Sequence, residues 1–209
     1  IAFAKRDIGI NHAKLTQHII DFDKPETYKE LIVGDDFFCT IGTTIKNAGS
    51  QQAFRKVDFE YPKQFAQFAI DNKVKQFLII SSLGADATSG NFYLKTKGEI
   101  QNFLKESDFE SVSVLQPSLL LGDRTEFRFG EKVGGFIMKM FPFLFQGNLK
   151  KYKPIEGKTV AKALPRIPIF NPKMNIGFNI TTINTIPIVA IIAFCGAAEE
   201  RSIALRLKN

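Results

Sequence analysis

No tryptophan occurs among the 209 residues, and cysteine is limited to Cys39 and Cys195. Two thiols cannot build a disulfide framework or a cysteine-ligated metal cluster, so both classes drop out and a cytoplasmic placement is expected. Long basic tracts are also missing. The net charge of +7 is scattered, with no basic run longer than two residues. That spread argues against a nucleic-acid surface, while a phosphate-bearing cofactor fits part of the excess. No signal-peptide pattern is read at the start. The apolar stretch TIPIVAIIAFCGAA, residues 185–198, is shorter than the roughly 20 residues that cross a bilayer. A buried strand or helix is expected there, with a membrane anchor as the alternative because Arg201 and Arg206 follow it.

Apolar side chains are plentiful. Hydrophobic content is 44%, charged content 23%, and phenylalanine occurs 21 times, enough for the core of one globular domain. The chain begins on Ile1, inside an apolar segment, so a fragment or shortened reading frame is expected. Ile1–Ala4 reads as the end of a strand closed by Lys5, Arg6 and Asp7, and 18–20 as a second short strand closed by Asp21, Phe22 and Asp23. Asp36–Ile41 (DFFCTI) is an apolar run ended by Gly42, Thr43 and Thr44. It fits a buried parallel strand approached by a ligand, or an ordinary tight turn. Residues 57–72 read as a helix, with Tyr61, Phe65, Phe68 and Ala69 on one face and Pro62 in its first turn. Lys75–Ile80 and Ser111–Leu115 read as further buried strands on either side of a helix that opens at Tyr93 and runs to about Lys105. Residues 155–164 read as a short amphipathic helix. Strands alternating with helices at this spacing predict a doubly wound parallel sheet, with ligands at the carboxyl ends of the strands.

The stretch Ser81–Lys97 (SSLGADATSGNFYLKTK) carries the chemistry. Tyr93 and Lys97 stand four apart, on one face of a helix. A neighbouring ammonium favours the phenolate and eases proton transfer through the tyrosine. A serine at the preceding strand end, Ser82 in preference to Ser81, is placed to hold a substrate oxygen at the phenol. Such equipment suits hydride transfer at an oxygen-bearing carbon, with a nicotinamide cofactor supplying the hydride. The spacing alone also fits a solvated helix face.

Residues 1–164 resemble the atypical short-chain dehydrogenase/reductase family of the Tat-interacting oxidoreductase type. The resemblance is carried by FFCTIGTTIKNAGS at 37–50, VDFEYPKQFAQFA at 57–69, FLIISSLGAD at 77–86 and FYLKTKGEIQ at 92–101. It continues through VLQPSLLLGDRTEFRFGE at 114–131 and YKPIEGKTVAKAL at 152–164. It implies a Rossmann-type sheet over residues 1–164, followed by a divergent tail over 165–209, and NADP(H) as cofactor. Tyr93 is then the proton donor or acceptor, Lys97 the ribose-binding partner that tunes it, and Ser82 the substrate-orienting serine. Lys5 and Arg6 match the basic pair at the adenosine 2′-phosphate. Ile41 and Gly42 match the backbone along the cofactor, and Leu120 and Arg128 further contacting positions.

Two departures qualify the resemblance. The family opens with a strand and a Gly-rich turn that stabilise the pyrophosphate at a helix N-terminus, and no such turn occurs in this sequence. The tail beyond Leu164 also departs from the family pattern. The expectation is an oxidoreductase of a small carbonyl or alcohol, N-terminally truncated and with little or no turnover as it stands. The alternative is a non-catalytic dinucleotide-binding or protein-interaction module. A small-molecule substrate is the expected partner, a protein partner is compatible, and neither nucleic acid nor membrane is expected.

Overall fold

A computed structural model describes residues 1–118, 120–121, 155–156, 159 and 179–181. Eight strands are assigned among these residues, and every pairing between them is parallel. Strand β1 (Ala2–Ala4) pairs with β2 (Gln17–Ile19). The main ladder runs β3-β4-β5-β8, from β3 (Asp36–Cys39) and β4 (Gln76–Ile80) to β5 (Ser111–Leu115) and β8 (Asn179–Thr181). A short third ladder joins β6 (Leu120–Leu121) to β7 (Ile155–Glu156). The main sheet is in register, with Asp36 opposite Gln76 and Gln76 opposite Ser111. Its strand ends therefore reach one edge together, which is where crossover topology delivers ligand-binding loops.

Strand β4 lies inside the ladder, and four of its five residues are buried. Strand β3 departs from expectation. It stops at Cys39, two residues early, and among the described residues it lies at the margin of the ladder. Its residues alternate between buried and half-buried, as one-sided packing produces. The heavy use of phenylalanine is explained by the layer between sheet and helix. Phe65 of helix α3 (Tyr61–Asp71) has ring centroids 5.3 Å from Phe22, 5.3 Å from Tyr28 and 5.6 Å from Phe37. Phe3 of β1 lies 6.4 Å away, so β1 and β3 share one core although they belong to separate ladders.

The helix read at 57–72 begins earlier. Helix α1 (Ile45–Ala48) ends at Gly49, and α2 (Gln51–Arg55) starts from Ser50, whose hydroxyl caps the Ala53 amide at 3.0 Å. A π-helical turn, Lys56–Glu60, then joins α2 to α3 without a break. Pro62 therefore lies deep inside a continuous helix and not in a first turn. A proline there lacks the N–H that would reach the Asp58 carbonyl, and its ring collides with that carbonyl in a regular α-helix. The wider turn, with the Tyr61 amide reaching back to Lys56, relieves the conflict.

Two further differences concern the second half of the chain. Ile155–Glu156 form a strand, not the start of a helix, because they pair with Leu120–Leu121. Asn179–Thr181, beyond Leu164, add β8 to the main sheet beside β5. Arg124, Arg128, the Phe-rich segment 136–145 and the apolar run 185–198 lie outside the described residues. Among the described residues no helix is long and apolar enough to cross a membrane.

Cys39 is fully buried, and burial pushes its thiol up to about 12. At pH 8 only about one thiol in 10⁴ is then ionised. In a Cys195→Ser variant, iodoacetamide should leave Cys39 unmodified in the folded chain and label it after urea unfolding. Rapid native labelling would mean that β3 opens freely.

Candidate active site

The site is assembled at the carboxyl edge of β3 and β4 by helix α4 (Phe92–Lys105). Asn91 starts α4 by accepting a hydrogen bond from the Leu94 amide at 3.2 Å. The loop after β4 folds onto the first turns of this helix. The Asp86 amide donates to the Leu94 carbonyl at 3.1 Å, and Asp86 accepts from both the amide and the hydroxyl of Thr88 at 2.8 Å. Gly98 makes the approach possible, since a Cβ there would lie 2.7 Å from Asp86 Cα and closer still to the Asp86 carbonyl carbon and the Ala87 amide. The loop leaving Ser82 is thereby pressed against the helix that carries Tyr93 and Lys97.

The two serines have different surroundings. Ser81 is buried, and its hydroxyl accepts from the Gln101 amide at 2.6 Å; Gln101 in turn accepts from Gln116 at 3.0 Å. This network ties β4, α4 and the end of β5 together, and it engages Ser81. Ser82 is half-buried, and the contact recorded for its hydroxyl is a long one of 3.5 Å to the Leu83 carbonyl. Of the pair, Ser82 is the less engaged hydroxyl.

Tyr93 is half-buried, its ring 5.6 Å from that of Phe54. Lys97 is buried, and its Nζ sits 2.7 Å from Oδ1 of Asp58, whose side chain is 1% exposed. The other carboxylate oxygen of Asp58 accepts from the Thr43 amide at 2.8 Å. Burial by itself depresses the Lys97 ammonium. The Asp58 carboxylate and, to a smaller extent, Tyr93 together outweigh it and hold Lys97 above the ordinary lysine value. The charge is thus kept at neutral pH, and the stability it contributes is lost only as pH rises through that raised value. Gly42 borders the pair: a Cβ there would lie 3.4 Å from Asp58 Oδ1 and 3.7 Å from Lys97 Nζ, and any longer side chain would cover both. Ile41 is buried beneath.

Tyr93, Lys97, Ile41 and Gly42 therefore gather at the ends of β3 and α4, with Ser82 on the adjoining strand end. Lys5 and Arg6 follow β1 and are exposed. The Lys5 ammonium lies over the rings of Phe22 and Tyr61, at 5.1 and 5.0 Å. Asp23 closes that second cluster, accepting from Tyr61 at 2.9 Å and pairing with Lys56 at 2.7 Å. The Lys56 hydrogen bond is the main influence holding the Asp23 carboxyl below its usual value. A cleft of about 970 Å³ is lined by Phe22, Asp23, Lys56 and Tyr61, and by none of Ser82, Tyr93 and Lys97. Leu120 lies in β6, and Arg128 is outside the described residues. No group of metal-ligating side chains occurs among the described residues. Sequence reasoning overlooked Asp58, Gln101, Gln116 and Gly98. The available signal for Asp58 was Pro62 four residues on, which disturbs the helix at that point.

No family model matches the chain. Protein HTATIP2 of Rattus norvegicus is 39% identical over 118 residues, 56% of this chain and 48% of that protein. The mitochondrial protein FMP52 of Coccidioides immitis is 33% identical over 163 residues, 76% of this chain and 66% of that protein. The chain thus spans about half the length of the rat relative. Several fungal relatives are named as mitochondrial, which overturns the cytoplasmic placement expected from the cysteine count. Among solved structures, the Bordetella bronchiseptica enzyme WbmG in complex with NAD matches with a TM-score of 0.50 at 14% identity, over 66% of this chain and 50% of that one. That match concerns the fold, which is the Rossmann-like one read from the strand pattern. The quoted sequence blocks, the parallel sheet and the relatives agree: the chain belongs to the HTATIP2 and FMP52 family of atypical, NAD(P)-binding short-chain dehydrogenase/reductases.

Proposed function

We propose that the protein is an NADP(H)-dependent oxidoreductase acting on a small carbonyl or alcohol. The observation that carries this is Tyr93 one helical turn from Lys97, whose ammonium is held charged at the open, Gly42-bordered end of β3. The residues fit the ribose end of a nicotinamide cofactor: a buried ammonium with donors to spare, beside a backbone left uncovered by glycine. When bound, the cofactor supplies or accepts the hydride. Tyr93 donates the proton to the substrate oxygen in reduction and accepts it in oxidation. Lys97 orients the ribose and favours the charge that passes through the phenol. Ser82 holds the substrate oxygen at the tyrosine. Arg6, at the end of β1, favours the 2′-phosphate of NADPH. Residues 1–164 form the cofactor-binding part in this reading.

Direct fluorescence titration of NADPH tests the reading, free of tryptophan emission because the chain has none. Saturable binding is expected, and its absence would sink the proposal. Arg6→Ala should weaken NADPH more than NADH, by about 1–3 kcal/mol, the scale of a charge-assisted contact. Equal losses for both cofactors would remove Arg6 from the 2′-phosphate. Saturable NADPH binding without any turnover, in a form of the protein that carries the Gly-rich turn, would favour a non-catalytic dinucleotide-binding module.

A further inference from the structure

The reading above uses Lys97 but not the carboxylate that holds it. Asp58 is 1% exposed, and it is delivered to Lys97 by the π-helical turn. Apart from the ammonium, no donor among the described residues reaches its Oδ1. Its Oδ2 fixes the Thr43 amide, next to Gly42. A buried ion pair is a poor device for stability alone, since apolar side chains of similar volume commonly serve as well. This one lies at a strand end, beside the uncovered Gly42 backbone, with its aspartate in an irregular helical turn. Placement at the edge where the site assembles suits control of the lysine's position.

We propose that Asp58 is a positioning residue: through one ion pair and one backbone hydrogen bond, it locks the Lys97 ammonium to the Gly42–Thr43 turn. An ammonium has three N–H donors. Held 2.7 Å from Asp58 Oδ1, the ammonium is kept in one place, with donors left for other acceptors. Lys97 can then serve the cofactor ribose and the Tyr93 phenol from one fixed point. The proposal rests on the oxidoreductase reading, but it makes a separate claim, that Asp58 acts through Lys97 and not on the cofactor itself.

Asp58→Asn is the informative change, because the amide keeps the size and an acceptor for the Thr43 amide while removing the charge. It should weaken NADPH binding by roughly 10-fold or more, as expected for a displaced binding group. A purely structural ion pair would lower the thermal midpoint and leave that affinity alone. The decisive readout is a double-mutant cycle. In a Lys97→Met background Asp58→Asn should cost NADPH affinity nothing further, because a residue that acts through another loses its effect with that partner. The double variant removes both buried charges together, so it stays foldable if Lys97→Met alone does not. In protein labelled with ¹⁵N-lysine, a slowly exchanging Lys97 ammonium signal should be present in the wild type and lost in Asp58→Asn. Wild-type NADPH binding with an indistinguishable Asp58→Asn variant, or with additive losses in the cycle, overturns the proposal alone. Failure of the wild type to bind NADPH overturns the oxidoreductase reading and the proposal with it.

Discussion

In a form of the protein completed with a Gly-rich turn, Tyr93→Phe should leave NADPH affinity close to its unsubstituted value and lower kcat by roughly 10²-fold or more, the usual scale for a positioned acid or base. The substitution is nearly silent structurally. The Tyr93 ring packs 5.6 Å from Phe54, and phenylalanine keeps that contact. Only the hydroxyl is lost, and with it the group that exchanges a proton with the substrate oxygen as hydride moves. Lys97 and its tie to Asp58 are untouched, so the ribose end of the cofactor is still met. The measurement is steady-state turnover of a small aldehyde or ketone with NADPH, alongside cofactor titration of both proteins. Full activity in Tyr93→Phe would make this face of α4 ordinary surface. A parallel loss of affinity and rate would point instead to a misfolded helix start.

The second large effect is expected at a residue without a side chain. In a helix interior, alanine is normally better than glycine by about 1 kcal/mol. At Gly98 the sign should reverse. A Cβ at this position meets the Asp86–Ala87 backbone, with Asp86 Cα at 2.7 Å. Backbone cannot swing aside as a flexible side chain does, and the loop is held by the Asp86–Leu94 and Asp86–Thr88 hydrogen bonds. Overpacking of this kind costs a few kcal/mol, so Gly98→Ala should lose about 2–3 kcal/mol after the propensity gain. For a domain of this size the thermal midpoint should fall by roughly 4–10 °C. Because the displaced loop leads from Ser82, KM for the carbonyl substrate should rise as well. A higher midpoint in Gly98→Ala would show that the loop does not rest on this helix.

The elements that define the site were legible because their signals are local. FLII within QFLII is a short apolar run and SVSVL is rich in β-branched valine, and both segments are buried strands. Tyr93 and Lys97 share a face by helical periodicity alone. What escaped depends on contacts distant in sequence. Asp58 looked like one polar residue in an amphipathic helix, and its role needs Lys97 from another element as well as the widening that Pro62 imposes. That Ser81 is engaged by Gln101 could not be read either, since no local pattern ties Gln101 to a strand end. Ile155–Glu156 read as helix because their periodicity is helical, yet pairing with β6 overrides it. The early start of α2 was missed because Gln51 and Gln52 carry no apolar stripe, although Ser50 is a good cap.

The wide turn at Lys56–Glu60 also sets what the chain tolerates in length. Each residue of an α-helix advances the helical phase by about 100°, so one extra residue in a regular helix would turn everything beyond it by that angle. Phe65, Ala66 and Ala69 would then leave the core, where all three are fully buried. A π-turn absorbs the surplus residue locally and keeps α2 and α3 in phase. Removing one residue from 56–60 should therefore keep Phe65 against the sheet while returning Pro62 to a regular helix, at a cost of about 3 kcal/mol. The wide turn thus holds two helices in phase and spares the chain that clash at once.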